Sequence, residues 1–394
     1  MIYYEDDAII AGLTSPVRKI SMYVWLYSNG EYLGALGDSM VKEITVERVG
    51  EDSKFFGYGV CHRLNLKLID IYRAITLSTS ESFQIIYTFD GAPSNYYFTP
   101  ILDITETHRD EKTGELSITA YDKLYTKAAR HIVSDLNLES YTMAEFATAC
   151  ANLIGAVGVN TVNFNFDTNY TYTNGASFNG DETIREALTA LAEATQSIYY
   201  IDYSNTLVFK RLSNEDDTAM LIRKEDYIEL DTNDNRRLST IAHITELGDN
   251  IVATTELTGT TQYIRNNPFW EAREDVADLV QAAIDNIGDL TINQFECSWR
   301  GNPNLEIGDR IMLQHKNGGI IETFLLNDTI HFNGALSQET QWQYEPDETE
   351  SEVNSTSIGE AIKKTFARVD KANQKIELVV SQTNDNTEKI SSIQ

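Results

Sequence analysis

Histidine and cysteine are the residues that most often bind metals or act as nucleophiles and bases, and in this chain neither is spaced for that chemistry. The histidines are His62, His108, His131, His243, His315 and His331. None lies in an HExxH motif, and no two have the short spacing of paired metal ligands. The cysteines, Cys61, Cys150 and Cys297, form no CxxC pair, which argues against a zinc site or a disulfide framework. The sequence therefore predicts no catalytic residue, no metal and no cofactor.

Acidic side chains could supply two further kinds of chemistry. The segment DTNDNRR, residues 231–237, resembles the start of a calcium loop, but Arg236 stands where the turn needs glycine and Ala242 where a bidentate glutamate should lie. The paired carboxylates of a glycoside hydrolase could be hidden among the 60 acidic residues, because so many carboxylates offer too many candidate pairs. A cell-wall hydrolase is therefore the alternative hypothesis, although most well-defined patterns in the chain are structural.

The chain is strongly acidic, with 60 Asp and Glu against 31 Lys and Arg and a formal net charge of −29. Such a charge repels phosphate backbones, and the basic footprint of a nucleic-acid reader is missing. An acidic surface could instead line a conduit through which DNA slides without adhering, or simply keep the protein soluble. Residues 1–7 lack the features of a signal peptide, and no apolar run reaches the roughly 18 residues of a membrane span. We expect synthesis in a cytoplasm and no membrane insertion.

Secondary-structure elements would position any site, and the first of them are β-strands predicted in residues 1–125. Side chains in residues 18–36 alternate between two faces of a strand. One face has Ile20, Met22, Val24 and Leu26, and the other has Tyr23, Trp25 and Tyr27. Asn29-Gly30 then predicts a tight hairpin, and Lys112-Thr113-Gly114 predicts a second one. We predict that this segment forms a first antiparallel β-barrel.

Residues 126–212 change to helical periodicity and predict a peripheral α+β module. Thr142 and Glu145 form a capping box, and a second helix begins near Asp181. Residues 213–265 and 294–345 return to strands and predict a second β-barrel, which an inserted helical segment, residues 266–293, interrupts. Pro268 in NNPFW ends the preceding strand because proline cannot donate to a sheet. The predicted fold class is thus α+β, mainly β, with two antiparallel barrels.

A well-defined turn and strand signal lies late in the chain, at RGNPNLEIGDRIML, residues 300–313. Asn302-Pro303 predicts a turn, and the Gly308-Asp309 step precedes alternating residues of a new strand. The sequence contains no catalytic motif that would explain so well-defined a signal.

The C-terminal region has the pattern of a linker followed by a coiled coil. Residues 346–357 are polar and acidic, and residues 358–394 have apolar spacing of four and three. The predicted seam of a trimeric coiled coil is Ile362, Phe366, Val369, Asn373, Ile376, Val380 and Ile390. An amphipathic helix packed against the body is the alternative. Because the heptads stop at Gln394, we expect the natural chain to continue.

Three separated pieces of the chain suggest a family. They are ERVGEDSKFFGYGVCHRLNLKLID at residues 47–70, ITAYDKLY at residues 118–125, and NNPFW followed by a helix and WRGNPNLEIGDRIML. Together with the order of segments, they resemble the N-terminal hub region of siphophage tail-associated (Tal-type) proteins and the baseplate hub proteins of contractile-tailed phages. The resemblance covers nearly the whole chain.

The resemblance implies a structural, non-enzymatic protein at the virion tail tip. In such hubs, two similar barrels per subunit form a ring in a homotrimer, which adapts to the six-fold tail tube and leaves a DNA exit channel. Gly308-Asp309 would then open a strand of the second barrel. The implied partners are the distal tail or tail tube ring, DNA passing through without specific binding, and a fibre or lysin downstream. A carbohydrate receptor-binding module, drawing on exposed aromatic residues such as Trp25, is a further alternative.

Overall fold

The computed structural model describes Gly12 and residues 18–344, except residues 29, 52, 71, 74, 76, 78–80, 90–95, 174–176, 256–257 and 289. The described chain is mainly β, as predicted. Its strands are β1 Ile20–Ser28, β2 Glu31–Leu36, β3 Val41–Val49, β4 Tyr58–Ile69, β5 Glu81–Phe89, β6 Tyr96–Tyr97, β7 Leu102–Asp110, β8 Glu115–Tyr121, β9 Ser140–Tyr141, β10 Val159–Val162, β11 Tyr172–Thr173, β12 Ile198–Ile201, β13 Leu207–Lys210, β14 Met220–Ile222, β15 Tyr227–Ile244, β16 Asn250–Thr254, β17 Thr260–Arg265, β18 Thr291–Trp299, β19 Arg310–Gln314, β20 Ile320–Phe324, β21 Asn327–Phe332 and β22 Leu336–Trp342. The α-helices are α1 Lys123–Thr126, α2 Met143–Ile154, α3 Ile184–Ala194, α4 Pro268–Glu271 and α5 Val276–Ile287, and short 3-10 helices span Asp38–Met40 and Val133–Leu136.

Local sequence patterns produce the two hairpins that the sequence predicts. β1 and β2 meet at Gly30, whose φ of +82° suits glycine, and the alternation along β1 buries Met22 and Val24 completely. β7 and β8 are joined through Gly114, with φ +71°. Both hairpin predictions are confirmed.

One continuous sheet joins the first and the last strand-rich segments. Its main antiparallel path runs β2–β1–β5–β7–β8–β4–β3–β21–β22–β18–β15. The two closed barrels expected from the sequence are not found among the described strands, which form large antiparallel sheets instead. The expectation failed because alternation predicts that a strand exists but not which distant edge it pairs with.

The core beneath this sheet is built from both ends of the chain. Apolar side chains of the first strands, including Leu64 and Leu66 of β4, pack with Ile330 and Phe332 of β21. Each such side chain contributes about 1.5–3 kcal/mol when it is fully buried. The pairing of β3 with β21 is therefore stabilised by burial as well as by backbone hydrogen bonds.

The helical module follows its capping signals. Thr142 accepts from the Glu145 amide and the Glu145 carboxylate accepts from the Thr142 amide, which starts α2, and Thr183 and Glu186 start α3 in the same way. α2 ends at Gly155, with φ +78°. The small sheet β12–β13–β10 joins the body through a parallel pairing of β12 with β4. Both helix predictions are confirmed.

The segment NNPFW stops a strand, as predicted. β17 ends at Arg265, and Pro268 occupies the first turn of α4, where its missing N–H costs nothing. Asn267 caps this helix by accepting from the Phe269 and Trp270 amides at 3.1 and 3.3 Å. α5 then packs against β15 and β16.

The predicted linker, residues 346–357, and the predicted coiled-coil helix, residues 358–394, lie outside the described residues. The described helices include none with the length and hydropathy required to cross a membrane.

Candidate functional site

Residues 300–309, RGNPNLEIGD, run between β18 and β19 and lie where the two strand-rich segments meet. We call this region the junction; it comprises residues 300–309 with Arg48 of β3, Asp328 of β21 and Gln338 of β22. Asn302 shapes the turn, because its Oδ1 accepts from the Asn304 amide at 3.0 Å. Asn302 is 3% exposed, so the turn predicted at Asn302-Pro303 lies inside the protein.

Arg48 is the charged centre of the junction. Its Nε donates to Asp328 Oδ1 at 2.7 Å, its Nη2 donates to Asp328 Oδ2, and its Nη1 donates to the Leu305 carbonyl at 2.7 Å. Arg48 is 7% exposed and Asp328 is 3% exposed. Burial lowers the pKa of Arg48, but the carboxylates of Asp328, Asp309 and Glu306 together raise it by more, so the net shift is upward. The guanidinium therefore remains charged and paired.

Gln338 connects this ion pair to the turn. Its Nε2 donates to Asp328 Oδ2 at 2.5 Å, and its Oε1 accepts from the Asn302 amide at 2.8 Å. Beside it, Asn327 Oδ1 accepts from the Gly50 amide at 2.5 Å. Asp328 thus receives hydrogen bonds from Arg48 and Gln338, which is what a buried carboxylate requires.

Asp309, the last residue of the segment 300–309, attaches the α+β module to the junction. Asp309 Oδ1 accepts from Lys210 Nζ of β13 at 2.7 Å, and its Oδ2 accepts from the Glu306 amide at 2.9 Å. Gly308 has φ +79°, and a Cβ there would lie 2.9 Å from Lys210 Cδ. Glycine is therefore required both by its backbone conformation and by the packed neighbour.

A cavity of about 30 Å³ lies beside the junction, lined in part by Arg48, His62, Tyr200 and Glu306. Burial raises the pKa of the Glu306 carboxyl, and the nearby Asp309 raises it further. Small-molecule sites usually have volumes of about 300–1,000 Å³. The cavity has room for ordered water but not for a substrate.

Five of the six histidines lie within 3.5 Å of a polar side chain, although the approach of His243 to Glu271 is not a hydrogen bond. The histidine contacts are His62 Nδ1 with Asp122 at 3.2 Å, His331 Nδ1 with Thr45 at 3.1 Å, His315 Nε2 with Thr232 at 3.0 Å, His131 Nδ1 with Asp135 at 3.5 Å, and His243 Nε2 with Glu271 at 3.5 Å. The buried carboxylate of Glu193 pairs with Lys54 and accepts from Asn267, each at 3.2 Å, and thereby holds the cap residue of α4.

The described residues also offer no metal centre: they include no group of three or more His, Cys, Asp and Glu that could hold an ion. The segment DTNDNRR, residues 231–237, lies within the long strand β15 rather than in a loop. Arg236 of this segment contacts the ring of Tyr344, with 5.9 Å between the guanidinium carbon and the ring centroid.

A second candidate surface spans β2, the outer face of β1, β6 and the connection between β12 and β13. Five aromatic side chains there form a continuous row, which we call the aromatic row: Tyr27, Tyr32, Trp25, Tyr97 and Tyr203. Their successive ring centroids lie 5.9, 5.6, 6.0 and 6.1 Å apart. Tyr32 is 56% exposed, and Leu33 on the opposite face of β2 is 60% exposed. β2 therefore exposes apolar side chains on both of its faces.

The structure brings together Asn302, Pro303, Gly308 and Asp309 in the junction, whereas the predicted coiled-coil residues, from Ile362 to Ile390, lie outside the described residues. Sequence reasoning missed Arg48, Asp328 and Gln338. The available signal was a charged residue at an inward-facing position of an alternating strand: Arg48 follows Ile44 and Val46 on the same face of β3.

No protein-family model and no curated protein matches the chain. Among solved structures, it is similar to a tail protein from Neisseria meningitidis MC58, with 13% identity, a TM-score of 0.53, and coverage of 82% of this chain and 96% of that chain. A 43 kDa tail protein of prophage MuSo2 from Shewanella oneidensis has 13% identity, a TM-score of 0.49 and coverage of 82% and 97%. Prophage tail protein gp18 from Listeria monocytogenes EGD-e has 13% identity, a TM-score of 0.48 and coverage of 89% and 99%.

At 13% identity, the similarity to the Neisseria protein shows a shared fold. It extends over most of both chains, so it includes both strand-rich segments as well as the module between them. The fold described above is thus also the fold of a tail protein.

Proposed function

We propose that this chain is a structural protein of a phage tail, acting as the hub of the tail tip or baseplate. The observation that carries the proposal is the fold shared with a tail protein over 82% of this chain. The internal arrangement supports it: the junction is a buried polar cluster that fixes strands to one another, and the cavity beside it has a volume of only about 30 Å³. A protein whose buried charges are used for internal attachment suits a structural role.

In this proposal the hub is a homotrimer that meets the six-fold tail tube, with the two strand-rich segments of each copy alternating around a ring. DNA passes through the lumen without specific binding, because the net charge of −29 gives no counterion-release gain to a phosphate backbone. Residues 358–394 form the coiled coil below the ring and lead to a distal fibre or lysin. The chain itself has no enzymatic activity.

Light scattering across a range of concentrations tests the trimer. The expected molar mass is about 133 kDa, three times the chain mass of 44.4 kDa. Electron microscopy of that species should then show a ring with a central lumen. A mass that stays at 44.4 kDa at all concentrations would rule out the homotrimer as a property of this chain.

The proposed seam has its own test. Ile376→Asp with Val380→Asp places carboxylates at core positions of the coiled coil, where they would lack partners. We expect weaker trimerisation with an unchanged β signal in far-UV circular dichroism. Loss of the β signal would show that this helix belongs to the core of the body.

A turbidity assay on purified cell walls separates the hub from the hydrolase hypothesis. The hub chain should leave the turbidity unchanged. Clearing by the purified chain would contradict the non-enzymatic assignment and direct the search to its acidic residues.

A further inference from the structure

β2 is an outer strand of the sheet, with one charged residue, Glu31, and an irregular register where it pairs with Leu26 and Tyr27 of β1. Among the described strands it pairs with β1 alone, so one row of its backbone N–H and C=O groups has no partner strand. Tyr32 and Leu33, on opposite faces, are both more than half exposed. Proteins normally shield such an edge with charges, proline or a covering element, because it otherwise pairs with another chain.

The β1–β2 hairpin itself contains few charges. Residues 20–36 contain one charged side chain, Glu31, in a chain whose net charge is −29. The aromatic row extends this uncharged surface from β2 across β1 towards Tyr203. Protein interfaces are enriched in Tyr and Trp and depleted of charges at their centre. Two copies of so acidic a chain repel each other least where their surfaces are neutral.

A matching edge lies at the opposite end of the same sheet. β16, Asn250–Thr254, has the sequence NIVAT, which contains no charge, and it pairs with β15 alone among the described strands. Its central residue, Val252, is 51% exposed. β2 and β16 are thus both outer strands of hairpins, with β17 pairing parallel to β15 on its other side, and β2 and β16 are each uncharged near the middle and expose an apolar side chain.

We propose that β2 of one copy pairs with β16 of the next copy, so that the sheet continues from chain to chain. This inference rests on the proposed homotrimer and specifies the surfaces that form it. Strand addition supplies backbone hydrogen bonds to both free edges, and Tyr32 of the aromatic row lies on the strand that forms the contact. Because the two surfaces differ, the contact runs head to tail, and such a contact generates a ring when the rotation closes.

Two single substitutions test the pairing, with a matched control. Leu33→Lys and Val252→Lys each put a charge into the contact at a residue that is at least half exposed, so the fold of one copy is unaffected. We expect each to raise the concentration at which the trimer half-dissociates by about ten-fold or more. Val157→Lys, at a residue 77% exposed on the α+β module, should leave that concentration unchanged.

Hydrogen exchange supplies an independent readout. The amides of residues 31–36 and 250–254 should exchange more slowly in the trimer than in the diluted chain, and both Lys variants should abolish the difference. A wild-type trimer that neither variant weakens would overturn the pairing and leave the hub proposal standing. A trimer that only one variant weakens would likewise overturn it, because the second strand would then be wrong.

Two other outcomes would also count against the pairing. A wild-type chain that stays monomeric would overturn the pairing and the homotrimer together. Quenching of tryptophan fluorescence by cell-wall glycan fragments, lost in Trp25→Ala, would identify the aromatic row as a sugar-binding surface if the trimer also tolerated Leu33→Lys.

Discussion

The junction and the β2 edge use opposite physical means to bring strands together. The junction buries a guanidinium and a carboxylate, Arg48 and Asp328, and gives both of them direct hydrogen-bond partners. The β2 edge exposes Tyr32 and Leu33 and has a backbone edge without a strand partner among the described residues. One region is polar and enclosed, and the other is apolar and open.

In the proposed hub, this difference separates the contacts that fold one copy from those that join copies. A buried ion pair tolerates one arrangement only, because moving either partner leaves an uncompensated charge. It can therefore fix the register of β3 on β21, although 280 residues separate Arg48 from Asp328. An exposed apolar edge stabilises contact without needing a charged partner, which suits association between separately folded copies.

Arg48→Leu should cause the largest loss of unfolding free energy, because it removes the buried ion pair of the junction. It leaves the Asp328 carboxylate buried without its ion-pair partner, and removing one member of a buried pair costs about 3–5 kcal/mol of unfolding free energy. Urea denaturation measures this loss. As a control, Lys67→Ala removes a surface pair with Glu43, with side chains 44% and 39% exposed, and should cost about 0–1 kcal/mol. Equal losses in the two variants would mean that the junction pair is energetically like a surface pair.

Gly308→Ala compared with Gly30→Ala tests packing in the two regions at nearly the same backbone geometry. Both glycines have positive φ, +79° and +82°. Alanine at either position must adopt a left-handed backbone conformation, which costs about 1–2 kcal/mol of unfolding free energy. At Gly308 the added Cβ also meets Lys210 Cδ at 2.9 Å, whereas at Gly30 nothing lies within 4 Å. Overpacking adds about 1–3 kcal/mol at Gly308. Thermal and urea unfolding should therefore rank Gly308→Ala as clearly the more damaging; the reverse order would show that the junction relaxes freely.

Glu306→Gln should give a smaller, pH-dependent gain. Burial and the adjacent Asp309 raise the pKa of Glu306, so the folded chain holds this proton to higher pH than the unfolded chain does. The ionised side chain therefore reduces stability as pH rises through the raised pKa. The variant should have a higher urea midpoint than the wild type at pH 7, and the difference should vanish below the ordinary pKa of glutamate. A wild type that is the more stable at pH 7 would mean that the carboxylate makes a favourable contact there.

The sequence predicts the local elements well because their causes are local. Alternation marks β1, Thr142 with Glu145 marks the start of α2, and Pro268 marks the end of a strand. Each signal acts within one or two turns of the chain, so neighbouring residues suffice to read it. The turn at Asn302-Pro303 is predicted for the same reason.

The pairing of distant elements could not be read in the same way. Nothing near Arg48 indicates Asp328, and the parallel pairing of β12 with β4 joins residues far apart in the chain. Two closed barrels were therefore expected where the described strands form one large sheet and two small ones, because strand patterns do not encode their partners. The sequence shows Trp25 and Tyr27 of the aromatic row on one face of a strand, but the extension of the row to Tyr203 depends on the folded position of the α+β module.

Tyr32→Ser should have the smallest effect on the unfolding free energy, and it tests whether the apolar side chains of β2 stabilise the fold of a single copy. Tyr32 is 56% exposed, and a surface substitution of this kind changes the unfolding free energy by about 0.5 kcal/mol or less. Met22→Ala in the neighbouring strand is the matched control, because Met22 is fully buried and such a truncation costs about 2–5 kcal/mol. Both are measured by urea denaturation at concentrations where the chain is monomeric. If Tyr32→Ser cost as much as Met22→Ala, β2 would contribute to the core of a single copy. The contrast with the junction would then disappear, since both regions would stabilise the fold of one chain.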